Sequence, residues 1–228
     1  IDLVVADNVD FSNGYATPFP SNRIVIYANP PVGDETLRFT DDFTELVVTH
    51  ELTHVFHLDR AGGIWRSLRR VFGRDPIWFP NAFQPSWLVE GLAVYFESEL
   101  TGSGRLAGTN HRMIARTAAA RGRFPRIDEL SLASPHFPYG YGAYAYGSLF
   151  VEYLAKTHGD SSLSRFVESS SRLLIPVWLN WPAKRAFHTT LTAAYTHWRD
   201  SLQRGSAPSA PSIAGWRDIT THGAYASV

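Results

Sequence analysis

The run Leu46–His57, with the sequence LVVTHELTHVFH, constrains this chain more than any other stretch. Leu46, Val47, Val48, Leu52, Val55 and Phe56 are apolar nearly all the way round a helical projection, which predicts a buried helix. Inside that helix stand His50, Glu51 and His54. Residues four apart lie one above the other on a helix, so the two imidazoles can reach a single cation. Glu51 is turned about 100° from His50 and falls beside the same point, placed to take a proton without displacing a ligand. Polar groups of this kind are costly to bury unless something pairs with them. A partner for this face is therefore expected from elsewhere in the chain.

The pattern His50-Glu51-x-x-His54 supplies two metal ligands and a general base. Catalytic zinc takes three protein ligands and keeps one position for water. The chain has no cysteine, so the third ligand must be a histidine or a carboxylate. Six residues beyond the second histidine, where one class of zinc enzymes places it, stands Arg60, which cannot ligate. His57 is on the right face but one turn further on, better suited to packing or to a contact behind the ligands. The segment Trp87–Glu97 reads as a strongly apolar helix that carries Glu90 and Glu97 on one stripe. Two carboxylates there call for a cation or hydrogen-bond donors. Glu90 is the better candidate for third ligand, and Glu97 could accept the free N–H of His50 or His54.

HExxH followed by Trp87-Leu88-x-Glu90-Gly91-x-Ala93-x-Tyr95 resembles the gluzincin metallopeptidases, in particular the peptidase MA-like group related to the aminopeptidase N family. The resemblance covers about residues 23–204. It implies that Glu90 is the third zinc ligand, with one zinc ion per chain. It also implies a tyrosine, three residues before a glycine, that donates to the oxyanion. Tyr144-Ala145-Tyr146-Gly147 matches that spacing through Tyr144, with Tyr141 and Tyr146 as rivals. Leu191-Thr192-x-Ala194-Tyr195-x-x-Trp198 resembles the closing segment of such domains. Two departures stand out. The region Gly62 to Pro85 reads as an insertion shaping the cleft, and the G-x-M-E-N segment that anchors a substrate amino terminus is missing, which points to an endopeptidase or to an unusual substrate. The implied fold is α+β and mostly helical, a thermolysin-like catalytic domain with a small N-terminal sheet and a helical C-terminal part. The implied partner is a peptide or protein substrate. A catalytically silent metal-containing scaffold and a zinc hydrolase of non-peptide substrates are the alternatives.

Hydrophobic residues make up 44% of the chain, a globular composition. A net charge of zero gives no reason to expect a nucleic acid or an anionic membrane as partner. No apolar run approaches the length of a membrane span. The sequence begins at Ile1 and its single methionine is Met113, so it reads as a cut or processed chain, with a periplasmic or extracellular location expected.

In chain order, Ile1–Ala6 reads as a strand, residues 8–22 as a loop or hairpin connection, and Arg23–Ala28 as a second strand. That second strand is either a plain core strand or an edge able to hold an extended peptide. The metal helix is expected from near Thr40 to about Asp59, and a helix rich in arginine from Ile64 to Phe72. An aromatic loop (Asp75–Pro85) is expected to line a cleft, and Ser86 to cap the Glu90 helix. A Gly-rich loop (101–110), a basic helix (His111–Arg121) and a loop over Leu130–Pro138 lead to a long helix ending near His158. Helical stretches over Ser162–Leu174 and Pro182–Arg204 close a domain of residues 1–204. From 205 to 228 the composition turns to linker chemistry, leading toward a further domain such as a β-propeller.

Overall fold

The computed structural model describes residues 1–31 and 40–205. The molecule is mostly helical, with one small sheet at its N-terminal end. Strands β1 (Asp2–Ala6), β2 (Gly14–Thr17) and β3 (Arg23–Tyr27) form a sheet in the order β1-β3-β2. β3 is the central strand, parallel to β1 with Leu3 opposite Ile24, and antiparallel to β2 with Gly14 opposite Ile26. Ile24, Val25 and Ile26 are buried, as a central strand of β-branched residues requires.

Helix α1 (Phe43–Leu58) lies on this sheet, where Leu46, Val47 and Val55 meet Ile24 and Ile26. Asp42 starts the helix by accepting a hydrogen bond from the Glu45 amide at 3.0 Å. The arginine-rich helix α2 (Gly63–Phe72) and two 3₁₀ turns (Pro76–Trp78 and Pro80–Phe83) lead into α3 (Ser86–Thr101). After α4 (Asn110–Ala120) comes α5 (Tyr141–His158), then α6 (Asp160–Ser170), α7 (Asn180–Phe187) and α8 (Leu191–Gly205).

The larger core surrounds α3 and α5, with Phe150 packed among Trp87, Tyr195 and Trp198. The two helices cross with their backbones almost touching. A Cβ at Gly147 would run into the Trp87 carbonyl, and one at Gly91 would sit 2.6 Å from the Gly147 carbonyl carbon. The glycine after Glu90 and the glycine three residues after Tyr144 are therefore one contact. It fixes the separation between those two side chains. α1 packs against the outer face of α3, so the histidine helix and the glutamate helix are neighbours.

Several boundaries differ from expectation for identifiable reasons. Residues 8–22 are not all loop, because β2 forms within them. A lone four-residue strand with a glycine at its start carries too little pattern to read. β3 is central, so the edge reading of Arg23–Ala28 is incorrect and β2 is the strand beside the helix. Phe56 is 69% exposed, so the metal helix is not buried on every side. Ser86 does not cap α3, since Pro85 holds that position and the Ser86 hydroxyl accepts from the Leu132 amide instead. The last helical stretch is broken at His188, whose φ of 58° ends α7 and lets α8 set off anew. Residue 205 still belongs to α8, while the linker and the stretch Trp216–Val228 expected beyond it lie outside the described residues.

Candidate metal centre

α1 presents His50 and His54 one turn apart, and α3 brings Glu90 across to meet them. The two Nε2 atoms stand 3.1 Å apart with their rings nearly perpendicular. Glu90 Oε2 lies 3.6 Å from His50 Nε2 and 3.4 Å from His54 Nε2. Three ligands at tetrahedral corners, each about 2.0–2.1 Å from a common ion, would be separated by about 3.3 Å. The observed triangle has that size. Two imidazole nitrogens and a carboxylate oxygen are also a donor set suited to zinc. The group His50, His54 and Glu90 can thus hold a metal ion.

The surroundings prepare these groups for that task. Glu97, fully buried two turns beyond Glu90, stands 2.7 Å from His50 Nδ1. If Nε2 is to carry a lone pair toward a metal, Nδ1 holds the proton and donates it to Glu97. Arg105 closes the arrangement from the loop after α3. Its Nε donates to Glu97 Oε1 at 2.8 Å, and its Nη2 lies 2.8 Å from His50 Nδ1. Guanidinium and imidazole N–H groups cannot bond each other, so both aim at the one carboxylate. Burial acts to raise the Glu97 pKa, but Arg105 and His50 outweigh it and hold the carboxyl down to about 2. Glu97 is therefore an anion throughout the physiological range.

Glu90 follows the same logic. Burial would raise its pKa, but hydrogen bonds from His50 and His54 hold it well below the usual carboxylate range. For His50, burial and Arg105 push downward, yet the hydrogen bonds to Glu90 and Glu97 leave the net shift upward. Glu51 differs from both carboxylates. Burial raises it, with the two histidines pulling the other way, so this carboxylate keeps a real affinity for a proton. Its position is set by β2. A Cβ at Gly14 would sit 2.7 Å from Val47 and 3.2 Å from a Glu51 carboxylate oxygen, so the strand can come this close only as glycine.

The site opens into a cleft of about 660 Å³ whose walls include Gly14 to Ala16, Val89, Arg105, Tyr141 and Tyr144. Tyr144 and Tyr141 are stacked there, and Arg105 lies 5.3 Å over the Tyr144 ring. Burial and the adjacent Glu90 carboxylate push the Tyr144 phenol upward, so it stays protonated and able to donate. Tyr146 is elsewhere, buried in the core against Phe124.

His57 is apart from the metal triangle. Its Nε2 lies 3.0 Å from Gln84 Oε1, and burial lowers its pKa to about 4, so it is a neutral packing residue. Arg60 is on the surface, paired with Glu168. The region 62–85, expected to shape the cleft, supplies none of its walls. It braces the end of α1 instead, with Asn81 donating to the His57 carbonyl at 2.9 Å and Phe79 buried beneath Arg69 and Arg74. Arg105 and Gly14 are the site residues that sequence reasoning missed. An arginine in a glycine-rich loop eight residues past Glu97 was a faint signal, and Gly14 offered none.

Comparison of the chain with protein-family models, with curated proteins and with solved structures finds no match.

Proposed function

We propose that this chain is a zinc-dependent peptidase of the gluzincin kind, acting on internal bonds of peptide or protein substrates. The observation that carries the reading is the triangle of His50, His54 and Glu90, with Glu51 beside it and Tyr144 across the cleft. A zinc ion held there would lower the pKa of a bound water and polarise a carbonyl. Glu51 accepts the proton of the attacking water, and its raised pKa suits it to hand that proton to the departing amine. Tyr144 donates to the carbonyl oxygen as negative charge develops on it. Glu97 and Arg105 hold the His50 ring in the tautomer that keeps Nε2 free for the metal.

A peptide is favoured over other polarised substrates by β2. It lines the cleft, pairs with β3 on one side, and has no strand on the other among the described residues. Such an edge can take an extended peptide by adding it as a further strand.

The test is Glu51→Gln, a variant that keeps shape and hydrogen bonding but cannot accept a proton. With metal content unchanged, cleavage of an unfolded protein substrate should fall by about 10²-fold or more. Cleavage at the parental rate would overturn the proposal.

A further inference from the structure

A group that donates to an oxyanion must keep its hydroxyl free for the substrate, so its place has to be set through its ring. Tyr144 is half-buried, and the contact of Gly147 with α3 fixes its backbone. Its side-chain torsions need a further restraint. Two groups meet the ring. Tyr141, three residues earlier on α5, is stacked on it with centroids 6.4 Å apart, and the Arg105 guanidinium carbon lies 5.3 Å over it. Tyr141 shares the helix of Tyr144, whereas Arg105 arrives from the loop after α3 and relates the ring to a different part of the site.

Arg105 can serve as a fixed reference because it is held at every level. Its side chain is buried, with Nε donating to Glu97 Oε1 at 2.8 Å and Nη2 to Glu97 Oε2 at 2.5 Å. Two parallel bonds to one carboxylate set the plane of the guanidinium as well as its position. The Arg105 amide donates to the same Oε1 at 3.3 Å. Gly104 brings the loop in with a φ of 89°, at a point where a Cβ would lie 3.0 Å from Leu46 and 3.3 Å from that oxygen. The Leu106 amide closes the turn by donating to the Ser98 hydroxyl at 3.2 Å. A cation fixed over an aromatic face and shielded from water attracts it more strongly than an exposed one.

We propose that Arg105 is a positioning residue for Tyr144, so that the buried carboxylate of Glu97 sets both a metal ligand and the oxyanion donor. On one side Glu97 stands against His50 Nδ1, and on the other it holds the Arg105 fork. The guanidinium face then carries that registration to the Tyr144 ring. The inference rests on the peptidase reading of the site. It is separate from the part Arg105 plays behind His50, where the need is only for a positive charge to neutralise Glu97. A lysine could supply that charge, but its ammonium has neither the fork that fixes an orientation nor a flat face to lay on a ring.

The test is a double-variant cycle of Arg105→Lys with Tyr144→Phe in the zinc-loaded chain, reading kcat, KM and zinc content on a peptide substrate. Arg105→Lys is expected to lower kcat by about tenfold or more, the scale of a slightly misplaced reacting group, with zinc content and KM close to parental. In the Tyr144→Phe background the same change should cost less than about twofold, because no hydroxyl is left to misplace. A role confined to His50 or to the fold would lower kcat by the same factor in both backgrounds. Equal factors, or an Arg105→Lys protein with the parental kcat, would overturn the proposal. If Arg105→Lys loses its fold or its zinc, Arg105→Gln with Glu97→Gln removes both charges together and goes through the same cycle. A larger loss with the Tyr144 hydroxyl present than without it then supports the proposal, and equal losses overturn it. A parent that cleaves no peptide brings down the peptidase reading and this inference together, whereas equal factors in an active parent bring down this inference alone.

Discussion

Two buried histidines both feel the charge of Arg105, and they behave in opposite ways. His50 on α1 is surrounded by carboxylates and its pKa is raised, although burial alone would lower it. His111 on α4 is just as buried, and its pKa is lowered to about 3 by burial and by Arg105. Its Nδ1 lies 3.0 Å from the Ser148 hydroxyl, which itself donates to the Ala145 carbonyl, and its Nε2 has no partner among the described residues. The difference lies in the neighbours. A carboxylate turns a buried imidazole into a ligand with a fixed tautomer, while a hydroxyl leaves it a neutral piece of packing.

The widest separation between the two sites should come from Tyr144→Phe. On the proposed reading, kcat on a peptide substrate falls by about 10²–10³-fold, the usual loss for one oxyanion donor, with metal content and fold unchanged. The equivalent hydroxyl loss near His111, Ser148→Ala, should leave kcat alone. Next comes the helix crossing that sets Glu90 against Tyr144. Gly147→Ala puts a methyl group into the Trp87 carbonyl, where only backbone could give way, and should cost about 1–3 kcal/mol of stability in a denaturant titration. Glu97→Gln then probes the carboxylate behind His50. It should weaken metal affinity by about 10–100-fold, measured by competition with a chelator, while the protein stays folded.

The last contrast is in pH dependence. Between pH 6.5 and about 3 the unfolded chain takes up a proton at His111 that the folded chain refuses. Stability is therefore lost as pH falls through that window, by about 1.4 kcal/mol per pH unit from this group. His111→Gln should flatten the acid limb of the unfolding midpoint by that amount. An unchanged limb would mean that His111 accepts a proton in the folded state and that the contrast with His50 is false.

The metal helix and the glutamate helix were legible in the sequence because their signals are local. A repeat of four on an apolar run places two histidines on one face, and Glu90 stands out as a carboxylate on an apolar helix. What the chain does between those helices was not legible. Arg105 and Glu97 meet through a loop, and the glycines at 91 and 147 meet across a crossing more than fifty residues apart in the chain. β2 was missed because a short strand is recognised by its pairing with β3 and by the helix it touches, neither of which is written in its own residues. For His57 the sequence left packing and a contact behind the ligands both open, and its partners come from a distant segment. Its spacing suits the metal face, but Gln84 and Asn81 come up beneath it and hold the ring at the end of the helix.

Metal content per chain tests the central claim most directly, measured by elemental analysis on the parent, Glu90→Ala and His111→Gln together. The account predicts about one zinc in the parent and in His111→Gln, and nearly none in Glu90→Ala. A parent that takes up no zinc, or a Glu90→Ala protein that keeps it, would contradict the account.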